Sequence, residues 1–184
     1  MKKIKFLALA LVATLSFGLT SCDKDKDLDY QSQTFKDGDK IQVHDLNTDS
    51  KPFYKLNFYF GIKGGNVYVE GLTSRVEVPR LNVMQDPQTA AAVMDFGKVD
   101  GLSLVDALPG DASFMASDKP VTSVGASEEH GYVIKAWGAT KFAETYEGLH
   151  NDGWNDPTPI YVRLWIKDID DGEYEIRYEY PWKP

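Results

Sequence analysis

Ile160-Tyr161-Val162-Arg163-Leu164-Trp165-Ile166-Lys167-Asp168 and Glu173-Tyr174-Glu175-Ile176-Arg177-Tyr178-Glu179-Tyr180 are two alternating runs separated by Asp170-Asp171-Gly172. A period of two puts Ile160, Val162, Leu164 and Ile166 on one face of a strand and Tyr161, Arg163, Trp165 and Lys167 on the other. The return run turns Tyr174, Ile176, Tyr178 and Tyr180 inward and Glu173, Glu175, Arg177 and Glu179 outward. Asp171-Gly172 suits the positive backbone angles of a tight hairpin. Basic residues of the first strand then face acids of the second, a pairing of about 0.2–1 kcal/mol each. Tyr161 and Trp165 put bulk on the second face as well, which predicts a strand covered on both sides.

The same period runs upstream. From Phe53 on, Leu56, Phe58, Phe60 and Ile62 alternate with Lys55, Asn57 and Tyr59, and Lys63-Gly64-Gly65-Asn66 turns the chain into Val67, Tyr68 and Val69. Residues 75–83 alternate through Val76, Val78, Leu81 and Val83, with Pro79 marking an edge strand or a bulge. Tyr132-Val133-Ile134-Lys135-Ala136-Trp137 is a further strand. One segment reads differently. Asp86-Pro87 ahead of Thr89-Ala90-Ala91-Ala92-Val93-Met94 has the N-cap and first-position proline of a short helix. Residues 97–109 form a connection with a helical turn through Leu104 and Ala107. The predicted fold is all-β with one short helix, an antiparallel β-sandwich or open barrel, in a single domain over residues 50–184.

The other end of the chain addresses the protein. Lys2, Lys3 and Lys5 precede an apolar stretch from Phe6 to Phe17, followed by Gly18 and Leu19-Thr20-Ser21-Cys22. Residues 1–21 read as a secretory signal. An uncleaved span is the alternative, but Lys5, Thr14 and Ser16 interrupt an 18-residue stretch (4–21) where a membrane helix uses about 20 apolar residues. Leu19-Thr20-Ser21-Cys22 resembles the lipobox of bacterial lipoproteins, which implies that Cys22 is acylated and becomes the first residue of the mature chain. Cys22 is the only cysteine, so it has no disulfide partner within the chain. Acyl chains at that position would hold the protein to a membrane.

Cys22 is followed by ten charged residues within 19 positions, from Asp23-Lys24-Asp25-Lys26-Asp27 to Lys40. Composition of this kind predicts a largely disordered tether over residues 22–49, unstructured at least over 23–34. The Asp-Lys-Asp-Lys-Asp run also resembles the acidic export signal of Bacteroidetes surface lipoproteins, which implies an outer-membrane, surface-exposed location. The 184-residue chain carries 20 basic and 28 acidic side chains; without residues 1–21 the balance is 17 against 28, net −11 over 163 residues. That charge argues against a nucleic-acid partner, since phosphate binding needs a basic footprint.

Met94-Asp95-Phe96-Gly97-Lys98-Val99-Asp100-Gly101-Leu102, Leu108-Pro109, His130-Gly131-Tyr132-Val133, Tyr161-Val162-Arg163-Leu164-Trp165-Ile166 and Ile176-Arg177-Tyr178-Glu179-Tyr180-Pro181-Trp182 occur in that order. The series resembles a family of uncharacterised lipoproteins, about 200 residues long, from Bacteroides and related bacteria. More faintly, the C-terminal strands resemble the HmuY-like haem-binding lipoproteins. That second resemblance implies haem held by axial histidine or methionine pairs, but it maps no ligand onto a residue of this chain.

Catalytic signatures are absent from the sequence. No Gly-x-Ser-x-Gly occurs, and His44, His130 and His150 stand outside any nucleophile motif. Acidic pairs suited to glycoside hydrolysis arise by chance among 28 acids, so no catalytic residue and no cofactor are assigned. His150-Asn151-Asp152-Gly153-Trp154-Asn155-Asp156 and Asp168-Ile169-Asp170-Asp171-Gly172-Glu173 offer oxygen ligands of the kind calcium takes, without EF-hand spacing. Turn chemistry accounts for both clusters equally well, and no metal site is assigned. His130, His150, Met84, Met94 and Met115 are the candidate axial haem ligands. Trp137, Trp154, Trp165 and Trp182 are candidate platforms for sugar rings, with core packing as the competing role. The expected function is that of a lipid-anchored, non-catalytic envelope protein that binds a ligand or serves a surface complex, with an outer-membrane receptor as partner. A glycan-binding module and a haem-binding lipoprotein are the alternatives.

Overall fold

The computed structural model describes residues 25, 28–44, 56–73, 76–78, 83–85, 88–138 and 159–184. In chain order the strands are β1 (Gln31–Lys36), β2 (Lys40–His44), β3 (Asn57–Lys63), β4 (Asn66–Gly71), β5 (Val76–Val78), β6 (Val83–Gln85) and β7 (Thr89–Lys98). They continue with β8 (Met115–Ala116), β9 (Lys119–Pro120), β10 (Ser123–Gly125), β11 (His130–Gly138), β12 (Ile160–Asp170) and β13 (Glu173–Trp182). A five-stranded antiparallel sheet, β1-β13-β12-β11-β7, packs on a four-stranded one, β10-β4-β3-β2. The predicted all-β sandwich is the observed fold, and both sheets are open.

The inner faces meet in one apolar core. Phe58, Phe60 and Ile62 of β3 and Val67 and Val69 of β4 pack against Val93, Tyr132, Ile134, Val162, Leu164, Ile166, Ile176 and Tyr178 of the larger sheet. Phe60 meets Tyr178 edge to face, with ring centroids 5.3 Å apart. Tyr132 is buried to its hydroxyl, which donates to the Gly125 carbonyl (3.0 Å) and accepts from the Ser127 amide (2.8 Å). Burial pushes its phenol up to about 12.

The C-terminal hairpin has the predicted inward and outward faces: Arg163 faces Glu179, Leu164 faces Tyr178 and Trp165 faces Arg177, with register shifts between Tyr161 and Arg163 and between Ile166 and Asp168. Asp171 (φ 46°) and Gly172 (φ 77°) make the turn, as the Asp-Gly pair requires. The hairpin of β3 and β4 is also as predicted.

Three expectations are corrected. The segment predicted as a helix, Thr89 onward, is β7, a ten-residue strand at one edge of the large sheet. Its alanines are strand residues because both faces are closely packed: Ala91 and Val93 enter the inner core, while Ala92 faces Phe114 and Val133 on the other side. Small side chains fit there, and that tertiary demand overrides helix propensity. Residues 75–83, predicted as one strand, contribute instead to a two-stranded ribbon of β5 and β6.

The third correction concerns the tether. Within the predicted span 22–49, β1 pairs with β13 and β2 with β3, so this stretch supplies an edge strand to each sheet. Phe35 and Val43 are fully or almost fully buried. Asp37 and Asp39, read as solvated charge, bind the turn that crosses between sheets: Asp39 accepts from the Lys36 amide (2.7 Å) and Asp37 from the Gly64 amide. The domain therefore includes residues well ahead of position 50, Asp25 among them. The predicted helical turn near Leu104 is present as a single 3₁₀ turn, Leu102–Leu104.

Candidate functional site

Among the described residues, the outer face of the large sheet carries most of the buried charged chemistry, Asp25 and Arg163. Residues outward on β12 and β13 alternate with those of the inner core, so Arg163 and Trp165 stand beside Glu179, Arg177 and Trp182. Across this face runs the connection 99–114. It sits close because position 131 is glycine: a Cβ there would lie 2.4 Å from a Val105 methyl and 3.2 Å from one of Val99. Gly131 is also the register partner of Trp165, leaving room for the indole and the crossing chain together. Val105, Phe114, Ala92, Val133 and Trp182 form a second apolar core here.

Three polar ties hold the crossing segment. The Trp165 indole nitrogen donates to the Val99 carbonyl (3.0 Å). Arg163 donates from one terminal nitrogen to the Val105 carbonyl (3.1 Å) and from Nε to Glu179 (2.7 Å), while its guanidinium lies 5.5 Å from the Trp182 ring. The third tie comes from the far end of the sequence. Asp25, completely buried, accepts from the amides of Leu102 (3.1 Å) and Ser103 (2.8 Å) and from Arg177 (2.9 Å).

Each part of that third tie has a local cause. The 3₁₀ turn at Leu102–Leu104 begins after Gly101 with φ 131°, a conformation that favours glycine. The turn directs consecutive amides at one carboxylate. Arg177 lies between the rings of Tyr30 (5.0 Å) and Trp165 (5.4 Å), which fix its position facing Asp25. Burial pushes the Asp25 carboxyl up, but the Ser103 and Leu102 amides and Arg177 together outweigh it and hold the group below the usual carboxylate range. Asp25 is thus an ionised side chain locking the N-terminal end of the described domain onto the sheet.

The residues singled out from sequence fall in several places. His130 lies with Nδ1 3.0 Å from Asp95, whose carboxylate also accepts from the Gly97 amide (2.7 Å). His44 is exposed on β2, at one edge of the small sheet. Met94 is half-buried beside the second core, and Met115 is exposed. Trp165 and Trp182 are buried, and Trp137 is half-buried against the second core. Asp168, Asp170, Asp171 and Glu173 lie at the turn end of the β12–β13 hairpin. No group of three or more His, Cys, Asp or Glu suited to a metal occurs among the described residues. Cys22, His150, Trp154 and the 150–156 cluster lie outside the described residues, as does the side chain of Met84. No helix among the described residues is long and apolar enough to cross a membrane.

Sequence reasoning missed Asp25, which stands in a charged run with nothing local to distinguish it. The cover over Arg163 and Trp165 had a signal: bulky outward residues opposite a glycine in the neighbouring strand. The chain matches no family model, no curated protein and no solved structure.

Proposed function

We propose that this chain is a lipid-anchored envelope protein in which residues 1–21 direct export and Cys22 carries the acyl chains. The observation that carries the reading is the order of features at the N-terminus: Lys2, Lys3 and Lys5, an apolar run from Phe6 to Phe17, and Leu19-Thr20-Ser21-Cys22 ending on the only cysteine. Asp25, three residues after Cys22, is tied into the domain by Arg177 and the 102–103 amides, so an anchor on Cys22 would lie close to the domain. The resemblance to Bacteroides lipoproteins supports an outer-membrane location, and the net charge of −11 leaves anchorage to the acyl chains rather than to headgroup attraction.

In this reading the domain is non-catalytic and presents a rigid sandwich as an accessory or ligand-binding subunit of a membrane receptor. For the glycan alternative the indoles of Trp165 and Trp182 are buried, which leaves Trp137 and Trp154. For the haem alternative Asp95 meets only Nδ1 of His130, an arrangement compatible with ligation through the other ring nitrogen, so His130 and His150 both stay candidates. Metabolic labelling with a fatty-acid probe tests the anchor: wild type takes the label and Cys22→Ala does not. Equal labelling of the two overturns the reading. A haemin titration yielding a shifted Soret band that His150→Ala abolishes would favour haem instead.

A further inference from the structure

Three large apolar side chains are exposed among the described residues: Leu104 (41%) and Leu108 (42%), on the segment crossing the outer face, and Met115 (37%), the first residue of β8 directly after it. Scattered exposed apolar residues are ordinary on a protein surface; confinement to twelve consecutive positions is not scatter. Leu104 closes the very turn whose amides bind Asp25. Asp25 is in turn three residues from Cys22, and three extended residues span at most about 11 Å. A domain of this size has a radius of gyration of about 15 Å, so an anchor on so short a lead cannot let the domain tumble freely. The face that carries Asp25 must sit against whatever holds Cys22.

From this placement we propose that Leu104 and Leu108 enter the interface of the bilayer that holds the acyl chains, docking the domain by its 102–108 edge. The inference rests on the proposed acylation of Cys22. The occupant is a lipid surface because the covalent lead brings the leucines to one. The contact is apolar rather than electrostatic: Asp100 and Asp106 flank it in sequence and would disfavour anionic headgroups, while Asp111 is paired with Lys135 (2.6 Å). The acyl chains supply the affinity, and the leucines set the orientation. The Asp25 lock makes the arrangement rigid: without it, Cys22 would connect to the domain through the longer path to β1.

Amide hydrogen exchange on the full-length acylated protein, in vesicles of phosphatidylethanolamine and phosphatidylcholine and on the Cys22→Ala protein in solution, tests the proposal. Vesicle binding is expected to slow exchange over residues 103–109 at least threefold, with the distal Asp171-Gly172 turn unchanged. The Leu104→Asp/Leu108→Asp double variant should still take the fatty-acid label and float with vesicles, yet lose that slowing; near-ultraviolet circular dichroism confirms its fold. Identical exchange on and off vesicles in a protein that is labelled and vesicle-bound overturns the docking while leaving acylation intact. Slowing that appears on concentrating the Cys22→Ala protein in solution assigns the leucines to a second copy and also overturns it. Absence of both label and flotation overturns the acylation reading itself.

Discussion

The two faces of the five-stranded sheet are closed by different means. The inner face is covered by a second sheet, and its contacts are apolar: Leu164, Ile166, Ile176 and Tyr178 against Phe58, Phe60 and Ile62. The outer face is covered by an irregular crossing chain, and what holds it is a mixture of a small apolar cluster and three side chains that satisfy its backbone. A covering sheet pairs its own amides and carbonyls. A covering loop pairs only some of its own, as in the 101–105 turn, so Trp165, Arg163 and Asp25 supply partners for the Val99 and Val105 carbonyls and the Leu102 and Ser103 amides. The inner closure is hydrophobic burial, and the outer closure is polar satisfaction over a smaller hydrophobic base.

That difference predicts a ranking of substitutions. Leu164→Ala, at a fully buried inner position, should cost about 2–5 kcal/mol of global stability, measured by urea unfolding. Gly131→Ala strikes the outer closure through the Val105 methyl and should cost about 1–3 kcal/mol as an overpacking change. Its effect should concentrate in faster amide exchange over residues 99–105, with the inner strands unaltered. If Gly131→Ala loosened the inner core equally, the two closures would be one cooperative unit.

Asp25 provides a pH test of the same contrast. Its carboxyl is held below the ordinary range in the folded state, so its contribution is fully present above the unfolded value of about 3.9 and is lost as pH falls through the folded value. Acidification from pH 7 to 3 should therefore narrow the stability gap between wild type and Asp25→Asn. A gap independent of pH would mean that the charge of Asp25 contributes nothing to the outer closure. Lys167→Ala should have the smallest effect, within about 0.5 kcal/mol. Its partner Glu175 is 2.7 Å away, but both side chains are well exposed, and such pairs contribute little.

The contrast also explains which parts of the fold were legible in the sequence. Inner-face strands announce themselves by alternation, so the β12–β13 and β3–β4 hairpins could be read with their turns and their inward faces. Edge strands do not. In β1 only Phe35 is buried, and the other residues of the strand are exposed, a composition that local reasoning cannot separate from a solvated linker. β7 failed for the opposite reason: with neighbours close on both sides, it carries alanines that mimic a helix. Tyr161 and Trp165 signalled a covered outer face, but the identity of the cover depended on pairings across 58 to 152 positions of sequence, which no local pattern encodes.

The central claim is that Asp25, ahead of β1, locks the outer closure in place. Amide exchange at Leu102 and Ser103, in wild type and in Asp25→Ala at neutral pH, tests it most directly. Both amides should be protected in wild type and exchange far faster in the variant, while Val133, Ile134 and Leu164 keep their protection. Unprotected amides at Leu102 and Ser103 in wild type, or protection that survives the loss of the carboxylate, would contradict it.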